Sequence, residues 1–255
     1  MRRLALLALA FAAGAARADG LDRDTLLTDS PAVPNAGTVR VTGGATGSSS
    51  DATSTGGNTG TSGISGSVGW TPIANVSGDV GAYTQIGASG GVSARARYQI
   101  LSQSSAGIDL SAGVRFKTVS WHASSAPRTD SNGEIEMLVA AGRRFGKFEL
   151  VLNGVFGVET GGGGGKDIEA KGFAGWRFNE AVRAGLDSRL QAEVSDTENT
   201  VGAVPTGRDY DLTAGPAVSW MVTRTVQVQA LLGVAQPKKT DLTTPVGVVS
   251  ASIDF

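Results

Sequence analysis

His122, Ser124 and Glu136 are the residues of this chain whose types suit acid–base and nucleophilic chemistry. An imidazole takes the proton of a hydroxyl, and a carboxylate holds that imidazole in the useful tautomer. His122 is the single histidine, so any histidine-dependent reaction must use it. The second reservoir of chemistry is charge. Arg95, Arg97, Arg115 and Lys117 recur at every second position, as do Glu134 and Glu136; Glu149, Glu159, Arg183, Asp187, Arg189 and Glu193 follow. Facing charges of both signs either brace a structure through salt bridges or set up a transverse field that orients small polar or zwitterionic solutes. Gly161–Gly165 before Lys166 imitates a phosphate loop, but Thr160 stands where its first glycine must be and Asp167 where its Ser or Thr must be. Asp196, Glu198 and Asn199 set no coordination geometry. No metal or cofactor is expected.

These charges are positioned by strands. In 181–194, Val182, Ala184, Leu186, Ser188, Leu190, Ala192 and Val194 share one face, and Arg183, Gly185, Asp187, Arg189, Gln191 and Glu193 the other. A helix would scatter those charges around its surface, whereas a strand separates them. The same split recurs in 91–101, 107–117, 133–144, 147–159 and 167–178, and with less contrast in 75–87, 209–222, 225–236 and 244–255. Segments 36–46 and 61–71 are rich in Gly, Ser and Thr, with Val39, Val41, Ile64, Val68 and Trp70 marking an apolar face. The count is twelve strands, or ten if 36–71 does not pair. Their length exceeds the five or six residues usual in soluble sheets and suits a tilted membrane strand of roughly 9–11. The fold class is therefore all-β, a transmembrane antiparallel β-barrel.

Two patterns test that reading. Connections near 72–74, 102–106, 146–147, 179–180 and 223–225 are short. Those near 47–60, 118–132, 160–166, 195–208 and 237–243 are mostly longer and hold the low-complexity sequence; 88–90 is the short exception. Barrels of bacterial outer membranes have short periplasmic turns and longer outer loops. Trp70, Tyr98, Phe145, Phe148, Trp176, Phe178, Trp220 and Phe255 sit beside the short turns, where an interfacial aromatic girdle belongs. Phe116, Trp121 and Phe156 fall toward the other rim.

The N-terminus agrees. Arg2 and Arg3, the apolar run Leu4–Ala13 and Ala16-Arg17-Ala18 read as a secretory signal over 1–18, cleaved before Asp19. Residues 19–35 are expected as a periplasmic leader, or as a short helix that docks on a periplasmic partner or plugs the barrel mouth; 36–255 form the barrel. Removing the signal takes away Arg2, Arg3 and Arg17 and no acid, leaving 19 basic and 23 acidic residues. That balance argues against nucleic acid as a partner. With no cysteine, no disulfide supports the fold. No run of 18 apolar residues offers a spanning helix.

Phe255, Ile253, Ala251 and Val249 alternate with Asp254, Ser252 and Ser250 up to a terminal aromatic. This resembles the C-terminal signal of bacterial outer-membrane β-barrels. The resemblance implies the outer membrane of a Gram-negative bacterium, contact with its lipid and lipopolysaccharide, and recognition by the barrel-assembly machinery. His122-Ala123-Ser124 with downstream Glu136 resembles the His-x-Ser and Glu of lipid A deacylases. Strand parity opposes that reading: His122 and Ser124 continue the lipid face, whereas Glu136 has lumen parity. The lumen charges nearly balance and the outer loops lack a binding motif, which suits a structural subunit of a gliding-motility or export machine, and the chain has an overall likeness to the barrels of gliding-motility envelope complexes. The sequence reading therefore puts first a non-enzymatic anchoring subunit of an envelope-spanning machine. A narrow porin-like channel lined by Arg95, Arg97, Arg115, Lys117, Glu134, Glu136, Glu149, Arg183, Asp187, Arg189 and Glu193 is the alternative, and a hydrolase using His122 a distant third.

Overall fold

The computed structural model describes residues 23–48, 61–85, 89–121, 131–160, 165–195, 210–236 and 243–255. Twelve strands form one closed antiparallel barrel: β1 (Val39–Ser48), β2 (Thr61–Ile73), β3 (Val76–Gln85), β4 (Ser89–Leu101), β5 (Asp109–Trp121), β6 (Ser131–Phe145), β7 (Phe148–Glu159), β8 (Lys166–Arg177), β9 (Val182–Ser195), β10 (Tyr210–Met221), β11 (Val226–Gln236) and β12 (Thr244–Asp254). One short helix, α1 (Gln103–Ala106), joins β4 to β5. Each strand pairs with its neighbours in sequence, and β1 closes on β12. The Gly/Ser-rich first strands do pair, from Val39 with Trp70 to Ser48 with Thr61, so the count is twelve and not ten.

Local chemistry explains the turns. Between β6 and β7 the two-residue connection Gly146-Lys147 has φ 63° at Gly146. A positive φ at the first central residue is what a type II′ hairpin demands, and glycine meets it without steric cost. Asn75, with φ 67°, supplies the same freedom between β2 and β3. At the seam, the Phe255 N–H donates to the Val39 carbonyl at 2.8 Å and the Val39 N–H returns to Phe255 at 3.2 Å. Arg40 of β1 adds an ion pair to Asp254 of β12 at 2.7 Å. Closure leaves no edge strand with unpaired backbone groups.

The outer face carries a belt of exposed apolar side chains. Val68, Val80, Val114, Leu152, Ile168, Leu186 and Leu232 are all exposed. In water such a belt would aggregate; in a bilayer it is the solvent-facing surface. At the short-turn end the belt is rimmed by exposed Trp70, Tyr98, Phe145, Phe148, Trp176, Phe178, Trp220 and Phe255. Phe145 and Phe148 lie with ring centroids 6.5 Å apart, and the Arg143 guanidinium covers Phe145 at 4.6 Å. This is the expected girdle. The barrel is thus a bilayer-spanning structure built from strands, and among the described residues no helix is long and apolar enough to cross a membrane.

Residues 23–35 depart from the expectation of a periplasmic leader. They run inside the barrel. Arg23 reaches Asp254 at the short-turn end of β12; Leu27 and Thr28 reach Asp187 near the middle of β9; Val33 returns to Gln99 near the short-turn end of β4. The segment therefore enters and leaves by the same mouth.

Candidate functional site

The plug is not a helix. Its sequence is full of groups that satisfy the backbone locally. The Thr25 hydroxyl accepts from the Thr28 N–H at 3.1 Å, an Asp24 carboxylate oxygen from the Ser30 N–H at 2.7 Å, and the Ser30 hydroxyl from the Ala32 N–H at 3.1 Å. Such side-chain bonds compete with helical ones, and Pro31 and Pro34 remove backbone donors. The result is a compact looped strap whose remaining polar groups turn outward to the wall.

The wall answers each of them. Asp187 is fully buried and accepts the Leu27 N–H at 2.9 Å and the Thr28 hydroxyl at 2.6 Å. Asn153 of β7 accepts the Asp29 N–H at 2.7 Å and donates to the Asp29 carbonyl at 2.9 Å. The Asp29 carboxylate is shared by Arg95 of β4 and Lys171 of β8, the latter at 3.0 Å. Asp24 accepts from Arg95 at 3.0 Å and Arg97 at 3.2 Å, while Arg97 also donates to the Ser30 carbonyl at 2.8 Å. Arg23 binds Asp254 at 2.5 Å. Leu26 and Leu27 pack on lumen-facing Ala217, Leu231 and Val246, and Ala32 on Val151 and Phe173. These plug side chains are only partly buried, so each contributes less than the roughly 1.5–3 kcal/mol of a fully buried large aliphatic. Close packing extends to Gly142, where a Cβ would come within 2.8 Å of the Pro31 ring. These contacts are why the segment sits in the lumen and not in the periplasm.

The charged residues picked out from the sequence all project from the inward-facing registers, and most are cross-braced. Arg115 lies opposite Glu136 and Lys117 opposite Glu134, so the basic and acidic walls meet strand against strand. Arg115 pairs with Glu136, and Lys117 reaches Glu134 at 2.8 Å and Glu136 at 2.7 Å. Fully buried Glu149 holds Arg177 at 2.9 Å and Arg183 at 3.3 Å. Arg189 binds Glu169 at 2.8 Å and approaches Asp211 at 3.8 Å. Arg95 and Arg97 lie under the plug. Glu193 is exposed toward the opposite rim, where β8 presents Asp167 to it. His122 and Ser124 lie outside the described residues, and Glu136 is committed to Arg115 and Lys117. Asp196, Glu198 and Asn199 also lie outside them, as does most of the glycine tract before Lys166.

The plug fills the lumen unevenly. It presses on β4 and on β6–β12 and leaves space along β1–β3. A cavity of about 300 Å³ there is bounded by Arg23, Asp24 and Leu26 on one side and by Thr42, Gly44, Ser65, Ser67 and Gly69 on the other. A second, of about 330 Å³, continues toward Tyr83, Ser93 and Arg115. The two share Asp24, Thr25 and Leu26 of the plug and Thr42, Ser65, Ser67, Asp79 and Arg95 of the wall as lining residues. Among the shared residues, Asp79 accepts from Arg95 at 2.7 Å.

Sequence reasoning missed Asp24, Asp29 and Asp79 as site residues, and the part taken by Asn153. It also passed over the lumen-facing apolar residues. Val151, Phe173 and Leu231 break the polar parity of their strands, and that was the readable sign of a filled interior.

No protein-family model matches the chain, and no curated protein does. Solved structures do. The NanC porin is similar over 84% of this chain and 98% of its own, with TM-score 0.58 and 9% identity. An outer-membrane channel from Pseudomonas putida F1 is similar over 88% and 97%, with TM-score 0.58 and 11% identity. The KdgM porin is similar over 86% and 99%, with TM-score 0.51 and 12% identity. With its closed order, apolar belt and aromatic girdle, the chain has the porin-like fold of a twelve-stranded outer-membrane β-barrel.

Proposed function

We propose that the protein is a narrow, non-enzymatic channel of the outer membrane for small polar solutes, with residues 23–35 as an internal plug. The observation that carries this reading is the pair of cavities along β1–β3. Gly44, Ser65, Ser67 and Gly69 keep that wall low, which leaves room for small solutes beside the plug. A wall of small polar residues with fixed charges opposite is how narrow pores combine passage with selection. The likeness in fold to porins and channels supports the same reading. The anchoring role has less support, because residues 23–35, the stretch expected to reach a periplasmic partner, are spent on contacts inside the barrel. An enzymatic role has less still, since Glu136 is held by two cations.

Planar-bilayer recording of the refolded chain tests this. Discrete conductance steps in potassium chloride are expected. Ser67→Trp narrows the open side and lowers the step size, and deletion of 23–34 raises it severalfold. Silence from both the full chain and the deletion would sink the channel reading.

A further inference from the structure

Among the contacts that attach the plug to the lumen are two carboxylates, Asp24 and Asp29, and the wall cations that hold them form a site of their own. Asp24 and Asp29 face Arg95, Arg97 and Lys171, and the side chains of Arg97 and Lys171 are each only 7% exposed. The wall compensates these cations incompletely. Arg95 has Asp79, and Lys171 shares Glu169 with Arg189. Among the described residues Arg97 has only plug partners, Asp24 and the Ser30 carbonyl, and its buried Nε has no hydrogen-bond partner. A buried guanidinium with an unused donor and no wall carboxylate is costly unless an oxyanion sits against it. The site also lies beside the passage, because Arg95 lines both cavities, Arg97 the first and Lys171 the second.

We infer that Arg95, Arg97 and Lys171 form a binding station for carboxylate-bearing solutes, and that Asp24 and Asp29 of the plug are its built-in occupants. A solute carboxylate and the plug carboxylates compete for the same donors. Binding therefore loosens the plug, and an occupied plug weakens apparent solute affinity by the fraction of time the station is covered. This deepens the channel reading and rests on it, so the test separates the two.

The measurement is calorimetric titration of the refolded full chain in detergent with succinate, with glucose as the neutral control. It does not require conduction. Asp24→Asn with Asp29→Asn uncovers the station, and succinate binds it roughly tenfold or more tightly than it binds the wild type, because each vacated charge-assisted hydrogen bond becomes available. Adding Arg97→Gln and Lys171→Gln to that background abolishes the gain, and glucose gives no heat in any variant. Retained heat-modifiable migration on gels certifies that each barrel is closed. If the uncovered barrel binds succinate no better than wild type, or if the gain survives loss of Arg97 and Lys171, the station is overturned, whatever bilayer recording says of conduction. If a doubly substituted barrel fails to close, Asp24→Asn alone serves, with a smaller gain expected and an unchanged affinity fatal.

Discussion

Glu149 and Arg189 are both lumen charges in ion pairs, yet their surroundings differ. Glu149 is fully buried between Arg177 and Arg183, whereas Arg189 is 27% exposed beside Glu169 and Asp211. Removing one partner of a buried cluster leaves charge in a poor dielectric and costs about 3–5 kcal/mol; Arg189 is partly solvated and its buried partner Glu169 keeps Lys171 at 2.9 Å, so its loss costs less. Glu149→Gln should therefore lower the urea midpoint of the folded, heat-modifiable form far more than Arg189→Gln does. Equal shifts would mean that water reaches Glu149. Alternation was enough to place both residues on the lumen face. It could not rank them, because burial here comes from the plug and from neighbouring strands.

Among elements, the strands were legible; a plug is one alternative the sequence offers for residues 19–35, but its looped path and its wall partners were not legible. Each strand announces itself by the opposition of, say, Leu186 and Leu190 to Asp187 and Arg189, a signal repeated within two residues. Even the weakly patterned β1 and β2 keep Val41, Ile64 and Val68 on the lipid side. Residues 23–35 carry no period, and their partners lie far along the chain: Asp187 is 160 positions from Leu27, and Asn153 is 124 from Asp29. Contacts of that range leave no local trace. The free space beside β1–β3 was equally silent, since Gly, Ser and Thr read alike as loop or as low wall. The placement of the plug is open to a direct check. Gly142→Val puts a methyl group against Pro31, whereas Gly154→Val enters open space. Trypsin should cut after Arg23 in the first variant and spare it in the second, with both barrels closed. Protection of Arg23 in both would show that the strap does not pack on β6.

As a whole, the molecule is stabilised by a closed ladder of backbone bonds, an apolar belt and a braced interior, without disulfides. The belt makes the outer face intolerant of charge in proportion to depth. Leu186→Arg, on a side chain 64% exposed near the middle of β9, should cost about 2–4 kcal/mol when unfolding is followed in lipid vesicles. Ser67→Arg, on the lumen wall, should cost little. Similar losses would place both residues on one face, against the parity on which the fold rests. The route of residues 23–35 has a topological consequence of its own. A strand of chain with one end on each side of the barrel could be cleared only by threading a terminus through the charged walls. A bight pushed in and pulled out through one opening, tethered next to β1 at Thr38, needs no such passage. Its release would therefore leave the sealed ring around it intact.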